Sequence, residues 1–188
     1  MRIVAGEFRG RQIKAVPGDQ TRPTLDKVKE SIFNALGQFF NGGTVLDLFA
    51  GSGNLGLEAI SRGCDKGIFV DKSYKAIQVI KDNINQLKLN DATEVYKMDA
   101  NSALALLKSQ NQQFDYIFLD PPYKEEKIND QLEYIMKENL LNPSGMIVCE
   151  TLKETLLNCQ FNDLIKLKEY IYGITKVTIY KREGELDE

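Results

Sequence analysis

Two short stretches of this sequence hold residue types in an order that chemistry could use. One is Phe118-Leu119-Asp120-Pro121-Pro122-Tyr123. Consecutive prolines remove two N–H donors and stiffen the backbone, so the carbonyl of Pro121 can be held facing a pocket. Asp120 supplies a second acceptor, and Tyr123 a flat surface on which a base can stack. An exocyclic base amine is a poor nucleophile because its lone pair is delocalised into the ring. Two acceptors gripping its hydrogens favour a more pyramidal nitrogen and aim the lone pair at an activated methyl group. Positioning of this kind supplies up to about 7–11 kcal/mol in the best intramolecular cases. A strong general base is unnecessary, because the methylated ammonium loses its proton readily. Such an amine must come from a base that is flipped out of its stack or already unpaired. The plainer reading of Asp120 to Tyr123 is a rigid turn that ends a strand.

The second stretch, Val45-Leu46-Asp47-Leu48-Phe49-Ala50-Gly51-Ser52-Gly53-Asn54-Leu55-Gly56, has the form of a strand, a loop and a helix start, with G-x-G-x-x-G at Gly51, Gly53 and Gly56. Glycines let the backbone turn sharply and approach a ligand, and the helix start offers unpaired N–H groups. Asp71, twenty residues past Gly51, is placed to accept from two ribose hydroxyls. These features fit a nucleoside cofactor without choosing among NAD, FAD and S-adenosylmethionine. Asp47 favours the last, since a carboxylate there repels a pyrophosphate and suits a methionine ammonium group. Asp99 could accept from an adenine amino group; from position alone it also fits an N-cap ahead of Ser102. Phe49, Ser52, Lys72 and Ala100 flank these positions and complete the expected cofactor-binding set.

The 188 residues contain no histidine, no tryptophan and three cysteines, Cys64, Cys149 and Cys159. Lack of imidazole excludes Ser-His-Asp and Cys-His catalysis and His-ligated zinc, and three scattered cysteines do not make an all-cysteine metal site. No metal is expected. An odd cysteine count with no signal-peptide core in Met1 to Gly10 predicts reduced thiols in a cytoplasmic protein. With 43% hydrophobic and 27% charged residues the composition is that of a soluble globular chain, and no apolar run approaches a membrane span. The formal net charge of −3 is unevenly spread. Met1 to Arg22 carries +3, with Arg9, Arg11 and Arg22 as candidate phosphate ligands, whereas the last six residues carry −4. A solvated hairpin with surface arginines is the plainer account of that arm.

The elements that must position these residues follow from periodicity. Ile3 to Ala5 and Gln12 to Ala15 predict a small hairpin. Thr24 is a candidate N-cap after Pro23, and Leu25, Val28, Ile32 and Leu36 predict an amphipathic helix ending near Gly37. Strands are predicted at Val45 to Phe49, Gly67 to Val70, Glu94 to Lys97, Tyr116 to Leu119 and Met146 to Cys149. Helices fall near Leu55 to Arg62, Tyr74 to Leu89, Ser102 to Ser109 and Lys127 to Asn139. This alternation predicts an α/β fold with a mostly parallel sheet covered on both faces, its ligands beyond the carboxyl ends of the strands. After Glu150 a short helical piece precedes runs from Leu164 to Tyr172 and Ile174 to Lys181, which Gly173 joins as an antiparallel hairpin. The expected organisation is a basic extension over residues 1–41, a main domain over 42–182 and an acidic disordered tail over 183–188.

Taken together, the motifs resemble the RsmD family of 16S ribosomal RNA guanine-N2 methyltransferases. The resemblance runs from Met1-Arg-Ile-Val-Ala-Gly and Arg9-Gly10-Arg11, through Arg22-Pro23-Thr24 and Phe33-Asn34-Ala35-Leu36, to the two stretches above and Tyr172-Gly173. Asp-Pro-Pro-Tyr alone also fits DNA adenine-N6 enzymes; the two amino-terminal segments narrow the choice. The resemblance implies a Rossmann-like class I methyltransferase fold with a seven-stranded sheet. It implies S-adenosylmethionine bound by Asp47, Gly51, Gly53, Asp71 and Asp99, with Asp120 to Tyr123 holding a guanine N2. It further implies small-subunit ribosomal RNA as partner, in an assembling or assembled particle, and a monomeric enzyme. Asn54 stands where members often carry a small apolar residue. A DNA adenine methyltransferase and a NAD-dependent oxidoreductase are the competing readings. The oxidoreductase leaves Asp120 to Tyr123 without a role.

Overall fold

The computed structural model describes residues 1–18 and 26–184. Arg22, the proposed cap Thr24 and residues 185–188 lie outside them. Eight strands form one sheet in the order β3-β2-β1-β4-β5-β8-β7-β6. They are β1 (Thr44–Asp47), β2 (Lys66–Asp71), β3 (Thr93–Lys97), β4 (Phe114–Leu119), β5 (Leu141–Leu152), β6 (Gln160–Phe161), β7 (Leu164–Tyr172) and β8 (Thr175–Arg182). The first five in the spatial order are parallel; β8, β7 and β6 follow antiparallel. The helices are α1 (Asp26–Leu36), α2 (Asn54–Ser61), α3 (Tyr74–Gln86), α4 (Ala100–Ser109) and α5 (Ile128–Lys137).

The central strands bury both faces, as Val45 and Leu46 of β1 show. One apolar core joins α1, α2 and α3 to the face of Val45, Phe69, Phe118 and Val148. The opposite face, with Leu46, Ile68, Ile117 and Ile147, packs against α4 and α5. Helix α1 contributes Val28, Ile32, Phe33 and Leu36, the spacing its sequence announces.

The fold class agrees with the expectation, and three details differ. The sheet gains β6, two residues that fold back on β7 through Asn162, whose φ is 55°. Among the described residues no helix follows Glu150. β5 instead runs on to Leu152, because Glu150, Thr151 and Leu152 pair with Val177, Lys176 and Thr175 of β8. The amino-terminal hairpin reduces to one bridge, Arg2 to Gln12, flanked by Ile3 N–H to Arg11 O and Ile13 N–H to Met1 O. Its strands go no further because the N–H groups of Val4 and Ala5 donate instead to the Glu58 carboxylate at 3.0–3.1 Å.

Glu58 is itself fully buried in α2. Lys29 reaches it from α1 at 3.2 Å, and Arg62 meets it at 3.1 Å while donating to Gln38 O. Lys29 also donates to Arg2 O. One carboxylate therefore ties the arm, α1 and α2 together. Burial pulls the Lys29 ammonium below its usual range, and Glu58 opposes that shift. Among the described residues, no helix is long and apolar enough to cross a membrane.

Candidate functional site

The sheet order reverses between β1 and β4, which opens a crevice at their carboxyl ends. Register decides what faces it. Asp47 sits opposite Phe69 on β2 and Phe118 on β4, and Leu119 sits opposite Cys149 on β5. Parallel partners share a face, as do residues two apart. Asp71, Asp47, Asp120 and Glu150 therefore gather on the α1–α3 face of four adjacent strands. Among the described residues no lysine or arginine pairs with Asp47, Asp120 or Glu150.

The three loop glycines have three different causes. Gly51 takes φ 55°, and a Cβ there would meet nothing within 4 Å, so the loop borders open space. Gly53 takes φ 83° as the residue preceding α2 and brings no side-chain cap to it. Gly56 lets helix and strand approach: a Cβ would lie 2.5 Å from the Phe69 ring and 3.2 Å from Asp47 Cβ. The missing cap comes from the strand, since Asp47 Oδ2 accepts from Gly56 N–H at 3.0 Å. Burial pushes the Asp47 carboxyl up to about 7, with Gly56 opposing and the charges of Asp71 and Glu150 adding.

Asp71 spans two loops, accepting from Gly51 N–H and Ser73 N–H, each at 2.9 Å. Lys72 pairs with Glu125 at 2.5 Å, joining the loop after β2 to the turn after β4. Ser52 is buried, and its carbonyl accepts from Asn83 Nδ2 at 2.9 Å. Phe49 packs against the α4–α5 core, and Ala100 is buried at the start of α4. Asp99 caps α4, with its oxygens accepting from Ser102 N–H at 2.9 Å and Ser102 Oγ at 2.7 Å. The N-cap reading of its position is therefore realised, and those bonds hold its carboxyl below the usual range.

On the other side of the crevice, burial raises the Asp120 carboxyl well above its usual range, with Glu150 as the next cause and Asp47 adding to it. Pro121 is buried, Pro122 is exposed, and the Pro122 carbonyl accepts from Glu125 N–H. The Pro121 carbonyl has no protein donor among the described residues. Tyr123 is fixed through its hydroxyl, 2.9 Å from Thr175 Oγ1 of β8.

The arginines lie elsewhere. The turn carrying Arg9 is held at Ser61, the last residue of α2, through Glu7 N–H and Phe8 N–H. Arg11 donates to Gln86 O, at the end of α3. Helix α2 starts beside the crevice, so Arg9 stands toward its far end; the other limb of the arm returns to the glycine loop, since Asn83 accepts from Lys14 N–H and donates to both Lys14 O and Ser52 O.

Sequence reasoning missed Glu150, Thr175 and the Lys72–Glu125 pair. Glu150 had a readable signal: it follows the apolar run Met146 to Cys149 as Asp120 follows Tyr116 to Leu119. Thr175 had none, because its contact with Tyr123 depends on how β8 returns along β5.

The fold and the carboxylate-lined switch point define a Rossmann-like methyltransferase. A family model described as "Conserved hypothetical protein 95" matches residues 1–181. The chain is 48% identical over 184 residues to YlbH of Bacillus subtilis (strain 168), provisionally named an rRNA methyltransferase, covering 98% of this chain and all of that one. It is 36% identical to the Haemophilus influenzae protein named Ribosomal RNA small subunit methyltransferase D, covering 96% and 93% of the two chains. A solved Escherichia coli structure, yhhF, provisionally named a methyltransferase, superposes with a TM-score of 0.83 at 29% identity, covering 98% and 99%. The chain belongs to this family, the RsmD-type methyltransferases.

Proposed function

We propose that the protein methylates the exocyclic N2 amine of a guanine in small-subunit ribosomal RNA, using S-adenosylmethionine, as a cytoplasmic monomer acting on a ribosomal particle. The observation that carries this reading is the pairing of two acceptors, the Asp120 carboxyl and the unclaimed Pro121 carbonyl, beside a glycine loop that opens onto free space. The names borne by the relatives support ribosomal RNA of the small subunit as the substrate class.

The residues present fit the cofactor. A methionine ammonium group needs a carboxylate, and Asp47 offers one that no cation occupies among the described residues. Asp71 has lone pairs for ribose hydroxyls beyond those it uses on the backbone. Asn54, the first residue of α2, buries an Oδ1 with no partner among the described residues, leaving an acceptor at the loop. Phe49, Gly51, Ser52, Gly53, Lys72, Asp99 and Ala100 line or support the same mouth. The cofactor brings a methyl group already activated on a sulfonium, so the protein need not create an electrophile.

The protein's own part is grip. Asp120 and the Pro121 carbonyl accept the two amine hydrogens of a flipped guanine, and Tyr123, pinned by Thr175, supports its ring. The proton shed by the methylated nitrogen passes to a carboxylate or to water. Arg9, Arg11 and Arg22 hold backbone phosphates.

Mixing the purified protein with labelled cofactor and small ribosomal subunits from a strain lacking this enzyme should label a guanine N2. Label in duplex DNA adenine and none in the subunit would overturn the proposal. Asp120→Ala should reduce turnover by orders of magnitude and leave cofactor affinity within a few-fold; near-full activity would remove the gripping role.

A further inference from the structure

We infer that Glu150 is a positioning residue for Asp120, holding it by a carboxyl–carboxyl contact between the heads of two adjacent parallel strands. The inference rests on the role proposed above for Asp120. Leu119 and Cys149 are register partners, so the next residues, Asp120 and Glu150, emerge side by side on one face. That placement sets the two carboxyl groups against one another with no cation between them among the described residues. Two facing carboxyl groups settle by sharing a proton, one donating and one accepting, so the pair carries one negative charge.

The surroundings keep that proton in place. The charged neighbour on β1 is Asp47, with Asp71 beyond it on β2. On β8 the partner of Glu150 is Val177, which is fully buried. Among the described residues no cation reaches either carboxyl. Burial raises both carboxyls, so the pair keeps a proton between them. One Asp120 oxygen is thereby committed to Glu150. The other Asp120 oxygen remains as the acceptor for an amine hydrogen. A free carboxylate at the end of a strand could rotate about its side-chain torsions; this one is held, and a misplacement of about 1 Å at a reacting centre costs on the order of 100-fold.

Glu150→Gln keeps the size of the side chain and removes the charge. In methylation of small ribosomal subunits it should lower kcat about 100-fold, shift the pH profile of kcat, and leave KM and cofactor affinity within about threefold. Glu150→Asp, which retains a carboxyl one methylene further back, should recover part of the loss. Wild-type kcat with an unshifted pH profile would overturn the inference.

Infrared spectroscopy of the cofactor-free protein provides a readout independent of turnover. At pH 8, above the titration of Asp47, the wild type should retain a protonated-carboxyl stretch that Glu150→Gln loses. If that variant does not fold, Asp120→Asn must lose the same band. Absence of the band in the wild type, or its persistence in either variant, would overturn the shared proton. An unlabelled guanine with an intact infrared result would instead count against the proposed substrate.

Discussion

Asp47 serves the fold, and under the proposed function it serves the site as well. Its carboxylate caps α2 from the strand below, and the burial that this requires raises it to about 7. The unfolded chain would titrate it near 3.8. Between those values the native state holds more protons than the unfolded one, so this contribution to stability is complete below about 4 and is lost as pH rises through about 7. Asp47→Asn keeps an oxygen for Gly56 and should flatten that part of the stability curve, measured by denaturant melts from pH 4 to 8. Cofactor binding follows the opposite slope. An ammonium ligand favours ionised Asp47, so affinity should fall as pH drops below about 7, by up to about tenfold per unit. A free α-amino group deprotonates near about 8, so the affinity optimum should lie between the two values. Calorimetric titrations across this range should find the acid limb missing in Asp47→Asn and the alkaline limb retained. An acid limb that survives the substitution would assign the titration to another group.

Among the elements, α2 ties the glycine loop to the arm. Its first turn hangs on Asp47, its centre holds Glu58, and its end holds the arm through Ser61, which donates to Ala5 O and accepts from Phe8 N–H. Glu58→Ala would leave Lys29 and Arg62 buried without their partner and free the N–H groups of Val4 and Ala5. Breaking a buried charge cluster on one side costs about 3–5 kcal/mol, and equilibrium denaturation should show a loss of that size. Loosening of the arm should appear as faster amide exchange at residues 3–5. Little of this is legible in the sequence. Val28, Ile32 and Leu36 announce the buried face of α1 by spacing, and alternating strands and helices announce the sheet. Lys29 and Glu58 read as ordinary surface charges, because nothing local says that a distant arm will cover them. The predicted hairpin is cut short to a single bridge for the same reason: its sequence suits a strand, but the next donors are taken by a side chain more than fifty residues away. The motif segments are legible because their backbone shape follows from chain-local geometry, such as positive φ at Gly51 and Gly53 or the two adjacent prolines.

For the whole molecule, the turn that carries Arg9 is held at the end of α2 far from the crevice, while Met1 and Lys14 of the same arm reach back to Ser52 of the glycine loop, Lys14 through Asn83. Helix α2 starts at the glycine loop and has eight residues, a rise of about 12 Å, and the Arg9 turn is fastened at its far end. RNA that presents a guanine to Asp120 and a phosphate to Arg9 must therefore run down the side of the protein. Arg9 is exposed and makes no salt bridge among the described residues, so Arg9→Glu is the clean test. Arg11→Glu would also put a negative charge at the carboxyl end of α3, an unfavourable place for it. Arg9→Glu should raise KM for the ribosomal substrate and reduce the slope of log affinity against log salt by about 0.7–0.9 for each phosphate that the arm no longer neutralises. Reversal to a negative charge should add repulsion that Arg9→Gln does not. kcat and cofactor affinity should remain at wild-type levels, since neither Asp47 nor Asp120 touches the arm turn. Binding measured by filter retention at several salt concentrations separates this pattern from a folding defect, which would depress kcat as well. An unchanged salt slope would move the RNA path off the arm and leave its arginines as solvated surface charge, despite the local +3 that singled them out.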